Sequence, residues 1–257
     1  MRALTGASSP RQSTLLAVGA LVALAWAALW VWGASPYARF LDHRTLDALG
    51  RPEPLLALFV AGWVIMLLAM MLPTSLPLVL LFSTMVGRRA DAASLVLLLL
   101  VGYLSVWSLF GLVVHLGDGV MHTLAATSAW LREHASLIGV ATLLAAGVYQ
   151  FTPLKYHCLQ QCRSPLSFIT SHWRGRGDRR QAFLLGVHHG LFCVGCCWTL
   201  MLIMFAVGMG NLGWMFGLGA IMAIEKNLAW GHRLAAPLGV ALIVAGLALA
   251  TLPLQLA

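Results

Sequence analysis

The sequence predicts an all-α fold, a polytopic bundle of about seven transmembrane helices, six if the weakest run does not cross. Three observations carry this. Sixty per cent of the 257 residues are hydrophobic. Only 9% are charged, against roughly 25% in a soluble domain. Apolar runs recur along the whole chain, and about 20 such residues cross a bilayer core as one helix. The runs are solid rather than alternating, which excludes a β-barrel.

The first run, 14–33, is longer than the roughly 7–15 residues of a signal-peptide core, so an uncleaved first span is expected. The second, 55–86, is too long for one straight helix. It contains "MMLPTSLP", and Pro73 and Pro77 are expected to break it inside the membrane. The third and fourth runs are 92–116 and 135–151. The segment "TPLKYHCLQQCRSP" follows. Thr152 and Pro153 read as N-cap and first helical position, and Pro165 closes a short helix. The fifth run is 182–208. The sixth, 212–230, is weakened by Asn211, Gly213, Gly217 and Gly219. The seventh is 234–254. No internal repeat or second domain is visible, so residues 1–257 form one membrane domain.

The net charge of +8 belongs to loops rather than to a nucleic-acid surface, because no aromatic residues interleave with it outside the runs. With the N-terminus inside, the inner segments hold Arg2, Arg11, Arg88, Arg89, Lys155, Arg163, Arg174, Arg176, Arg179, Arg180, Lys226 and Arg233. The outer segments hold only Arg39, Arg44, Arg51 and Arg132. The excess predicts a membrane protein with its N-terminus inside and its C-terminus outside. The basic loop "HWRGRGDRRQ" is read as a topogenic segment facing lipid headgroups.

The chemistry is concentrated in "HHGLFCVGCCW". On a helix, His189, Cys193, Cys196, Cys197 and Met204 share an arc of about 100°. His188 points elsewhere. Gly186 and Gly190 fit a close helix approach. Entering at Ala182, Cys193 is about 17 Å deep at 1.5 Å per residue. Cys158 and Cys162 share a face one turn apart and are expected at the cytoplasmic mouth. Met70 and Met71 are expected at the depth of Cys193, beside the proline break. Glu225 in "IMAIEKN" reads either as a functional intramembrane acid or as the partner of Lys226 or Arg233. Glu225 and Met204 are the further candidates. His115, His122 and Asp118 near the outer face read as interfacial polar residues, with a weak outer metal-entry site as the alternative.

Thiolate and thioether ligands select Cu(I), zinc or iron–sulfur clusters. A zinc site of Cys193, Cys196, Cys197 and His189 is less favoured, because zinc sites usually pair two separated knuckles. The spacing matches no iron–sulfur pattern, and Cys197 stands where a c-type haem motif needs histidine. Cu(I) is therefore the expected ion. Five cysteines, none on the oxidising face, argue against a disulfide framework.

"MMLPTSLP", "KYHCLQQCRSP", "GLFCVGCCWTLM", "NLGWM" and "EKN", in this order, resemble a bacterial domain-of-unknown-function family of predicted metal-binding integral membrane proteins. The resemblance covers about residues 55–227. It implies a metal site carried by Cys158, Cys162, Cys193, Cys196 and Cys197, with Met70, Met71, Pro73 and Glu225 as further motif positions. In the family pattern a methionine precedes the asparagine of the "NL-WM" block; here that position is Gly210.

The expected function is a Cu(I) permease or a membrane metallochaperone. Its partners would be the bilayer and a cuproenzyme or another metallochaperone, and a homo-oligomer is compatible with the sequence. Two alternatives stand beside it. One is a thiol oxidoreductase using Cys193, Cys196 and Cys197 as a redox relay; the other is an assembly subunit without ligand. No Walker or "DKTGT" motif is present, so the chain carries no ATPase of its own.

Overall fold

A computed structural model describes residues 10–35, 52–130, 136–174, 178–207 and 211–255. Among these residues every regular element is helical: α1 (Pro10–Gly33), α2 (Pro52–Met70), α3 (Leu72–Val86), α4 (Ala92–Thr127), α5 (Ser136–Tyr149), α6 (Pro153–Arg163), α7 (Pro165–His172), α8 (Asp178–Val207), α9 (Leu212–Asn227), a 3-10 turn (Gly231–Leu234) and α10 (Ala235–Gln255). Gly210 and Met209 lie outside the described residues.

Among the described residues, four stretches are long and apolar enough to cross a membrane: Arg11–Gly33, Ala92–Met121, Asp178–Met204 and Gly231–Thr251. Two bent pairs raise the number to six, α2 with α3 at 67° and α5 with α6 at 66°. This matches the lower of the two span counts. The short member is the sixth apolar run. With 16 residues, α9 is about 24 Å long, less than the ~30 Å hydrocarbon core.

The second run breaks once, at Met71, rather than at both prolines. Pro73 falls in the first turn of α3, where a missing N–H costs nothing, and Pro77 is carried inside that helix. Each proline still frees the carbonyl four residues earlier, and each freed carbonyl finds a donor. Trp26 Nε1 donates to the Ala69 oxygen at 3.2 Å. Asn227 Nδ2 donates to the Pro73 oxygen at 3.4 Å. In a bilayer these donors matter, because no water replaces them.

α4 and α8 run parallel and form the spine. Gly102 faces Phe183 and Val187, Gly186 faces Leu99 and Tyr103, and Gly190 faces Tyr103 and Val106. A Cβ on Gly186 would run into the Leu99 carbonyl oxygen. The Gly186–Gly190 pair is therefore the close-packing device its spacing predicts. At the shared start of the spine, Arg89 holds Asp91 at 3.0 Å and Asp178 at 2.6 Å. Asp178 is in the first turn of α8, where a carboxylate suits the helix dipole.

α10 packs antiparallel to α5. Gly239 and Ile243 meet Gly147, and Gly246 meets Leu144. α2 runs antiparallel to α4, with Phe59 stacked on His115 at 4.3 Å and Trp63 donating to the Trp107 oxygen at 2.9 Å. That stacking gives His115 a packing role. The side chain of His122 lies outside the described residues.

Three helices stop at one depth. α2 ends where the Met71 oxygen accepts from the Tyr103 hydroxyl. α5 ends where the Tyr149 hydroxyl donates to the Gly195 oxygen. α9 ends with Lys226 against Cys193. Backbone breaks and helix ends thus ring the middle of α8, where the cysteines are. Irregular backbone at membrane depth is tolerated only when it is buried in protein or lines a cavity.

Candidate metal centre

The five cysteines are all buried and all free. Helical spacing on α8 turns Cys193, Cys196 and Cys197 inward. Cys196 Sγ donates to the Cys193 carbonyl oxygen at 3.1 Å and Cys197 Sγ at 2.9 Å. The Tyr103 hydroxyl sits 3.1 Å from Cys193 Sγ.

α6 completes the group from the other side. Its start matches the predicted cap: Thr152 Oγ1 accepts from the Lys155 N–H at 3.3 Å, and Pro153 occupies the first turn. Cys158 and Cys162 share its buried face. Cys162 packs in the same buried cluster as Cys193 and Cys196. Cys158 Sγ would lie 2.6 Å from a Cβ placed on Gly195. The two cysteines of α6 thus join those of α8 in one group. The 66° bend lays α6 across α8 and brings both thiols to the depth of the main group.

His189 is buried one turn before Cys193, with Nε2 3.2 Å from Ser75 Oγ. Its ring stacks on Tyr103 at 5.5 Å, and its Nδ1 has no hydrogen-bond partner among the described residues. Met70, Met71 and Met204 belong to the same contiguous buried cluster as the five cysteines. Met70 also lines Gly219 of α9.

Two charged residues define the site more than the sequence foretold. Lys226 Nζ donates to Cys193 Sγ at 2.8 Å and to Thr74 Oγ1 at 3.2 Å, and lies 3.9 Å from Cys197 Sγ. Only 6% of Lys226 is exposed. Glu225 pairs with neither Lys226 nor Arg233. Both of its carboxylate oxygens accept from Lys155 Nζ, at 2.9 and 3.0 Å. Lys155 also donates to Gln150 Oε1. Arg163 caps the end of α9 by donating to the Glu225 oxygen, and to the Ala229 oxygen at 2.9 Å. Sequence reasoning counted Lys155 only as a topogenic charge, and Lys226 as that or as a partner of Glu225.

The arrangement offers soft sulfur donors beside an apolar wall, with one ammonium in contact. Among the described residues, no three His, Cys, Asp or Glu side chains stand ready as a finished ion cage. Cys196 and Cys197 are turned onto a backbone carbonyl, and Lys226 takes the open side of Cys193. Rotation about single side-chain bonds would free all three sulfurs. The ligand types fit a thiophilic monovalent ion and are poor for magnesium or calcium.

No curated protein and no solved structure matches the chain. Residues 60–249 match the family model of PpoB2, described as a copper chaperone. That span contains the whole spine, the break at Met71, the bent pair α5–α6 and all five cysteines, and the chain belongs to the PpoB2 copper chaperone family.

Proposed function

We propose that the chain is a membrane-embedded Cu(I) metallochaperone that holds its cargo on Cys193, Cys196 and Cys162 and passes it to a cuproprotein. The supporting observation is that the thiols of α6 and α8 share one buried cluster, with Lys226 against Cys193. Cysteine binds metal as thiolate, so Cu(I) held by two of these sulfurs, with the third still a thiol, releases two thiol protons. The resulting complex carries one negative charge. The Lys226 ammonium supplies the matching positive charge in a medium where an unpaired charge is costly.

Cys197, Cys158 and His189 stand within reach as exchange ligands, and Met70, Met71 and Met204 furnish a thioether wall. A two- or three-coordinate ion can change partners one sulfur at a time. Such a site holds copper tightly yet releases it quickly. This suits a chaperone or permease better than an enzyme. The arginine distribution supports an inner-membrane location with the N-terminus inside.

The test is copper analysis of protein purified anaerobically in detergent. Wild type reloaded with Cu(I) is expected to retain copper near stoichiometry. Cys193→Ser/Cys196→Ser/Cys162→Ser is expected to lose the sulfur-bound fraction. Equal sulfur-bound copper in both proteins rejects the assignment.

A further inference from the structure

We propose that His172 and His188 form a second, nitrogen-based metal-binding station between the basic end of the bundle and the thiols. The imidazole of His188 is the one that helical spacing turns away from the cysteine face. It is turned toward α7. Its ring centroid lies 4.9 Å from that of His172, with the rings at 45°.

Metal–nitrogen bonds of about 2.0–2.1 Å bring two imidazole centroids roughly 5 Å apart when the bonds meet near the tetrahedral angle. The observed separation is that distance. Water or a passing thiolate would complete the coordination.

The nitrogens are prepared for it. His172 Nδ1 lies 2.9 Å from the Phe168 carbonyl oxygen. The Ser171 hydroxyl lies 2.8 Å from the same Nδ1; in the tautomer that donates to the Phe168 carbonyl, Nε2 presents its lone pair. A histidine ligand commonly donates its other N–H to a backbone carbonyl in this way, which fixes its tautomer and ring direction. His188 Nδ1 is buried and has no hydrogen-bond partner among the described residues. Buried polar atoms are nearly always satisfied, and a bound ion would satisfy this one.

The position suits a relay. His188 is ten residues into α8, about 15 Å from Asp178 and about 7.5 Å short of Cys193 at 1.5 Å per residue. Phe168 stacks on His172 at 4.4 Å and meets His189 edge-on at 5.6 Å. One aromatic ring therefore separates the histidine pair from the imidazole that borders the thiols. That the ion is Cu(I) rests on the function proposed above; that the pair binds an ion does not.

The experiment uses the full chain in detergent micelles, loaded anaerobically with Cu(I). Copper equivalents are counted, and X-ray absorption reads sulfur and nitrogen neighbours. Wild type, His172→Ala/His188→Ala, the milder His188→Gln and the cysteine triple variant are compared at matched melting temperature. The histidine variants are expected to lose one copper equivalent and its nitrogen scattering, with sulfur scattering unchanged. The cysteine variant is expected to keep the nitrogen-only equivalent. Unchanged nitrogen scattering in both histidine variants overturns the station, as does a cysteine variant with no copper at all. Unchanged sulfur scattering in the cysteine variant rejects the thiol assignment and leaves the histidine result to be read alone.

Discussion

The Lys226 ammonium donates to the Cys193 sulfur at 2.8 Å, inside a helical bundle and away from water. A lone cation there is unfavourable, so the contact has a charge-balancing sense only with a negative partner. A Cu(I) dithiolate is such a partner. Replacing the ammonium with a neutral chain of similar size separates that role from packing. Lys226→Met is expected to weaken Cu(I) binding about 10- to 100-fold, or roughly 1.4–3 kcal/mol. Its melting temperature should hold or rise, since apolar replacement of a buried charge is often neutral or stabilising. Competition with a chromophoric Cu(I) chelator measures the affinity. Wild-type affinity in this variant would remove Lys226 from the site.

Glu225 and Lys155 form a second buried pair, and here the expectation is the reverse. Both carboxylate oxygens are occupied by Lys155, and Lys155 has no exposed surface. Glu225→Gln leaves the ammonium uncompensated. Breaking a buried pair on one side costs about 3–5 kcal/mol. Unfolding in a sodium dodecyl sulfate titration should show a loss of that order, with unchanged copper stoichiometry in the protein that remains folded. Loss of copper without loss of stability would instead make Glu225 a ligand.

These two lysines also show what the sequence carried and what it hid. The cysteine face of α8 was legible because a 100° repeat is a local property of one helix. So was the start of α6, where Thr152 and Pro153 act within one turn. Cys162 meeting Cys193 was not legible, because it depends on a bend between α5 and α6 that no local pattern specifies. Lys226 was hidden for a related reason. A charge at the end of an apolar run reads as a boundary residue, yet α9 is short and its end is buried at thiol depth. The span number was ambiguous on the same grounds: hydropathy sees apolar length, not where α2, α5 and α9 stop.

The spine gives a prediction about coupling between packing and the site. Gly186 sits where a Cβ would strike the Leu99 carbonyl oxygen and crowd the Tyr103 backbone. Tyr103 is the residue whose hydroxyl reaches both Cys193 and Met71. Gly186→Ala is expected to part α4 from α8, cost about 1–3 kcal/mol as overpacking, and lower copper retention together with stability. Gly117, on the same α4, has nothing within 4 Å of a placed Cβ. Gly117→Ala should be neutral or stabilising by up to about 1 kcal/mol, since alanine is the better helix former. Equal behaviour of the two variants in thermal unfolding would contradict the close approach.

The two cysteines of α6 are one turn apart but are not equivalent. Cys162 is on the side of α6 nearer Cys193 and Cys196, whereas Cys158 lies against Gly195. If Cu(I) is held across α6 and α8, Cys162 is the ligand that joins the helices. A serine oxygen is a hard donor and a poor replacement for thiolate toward Cu(I). Cys162→Ser is therefore expected to weaken Cu(I) binding about 100-fold or more, roughly 2.7 kcal/mol. Cys158→Ser should lose less than about tenfold and should mainly slow transfer to an acceptor chelator in stopped-flow mixing. The two effects are separable because one is read at equilibrium and the other as a rate. Cys158→Ser with the larger equilibrium loss would move the ion to the Gly195 side of α6 and make Cys158, not Cys162, the bridging ligand.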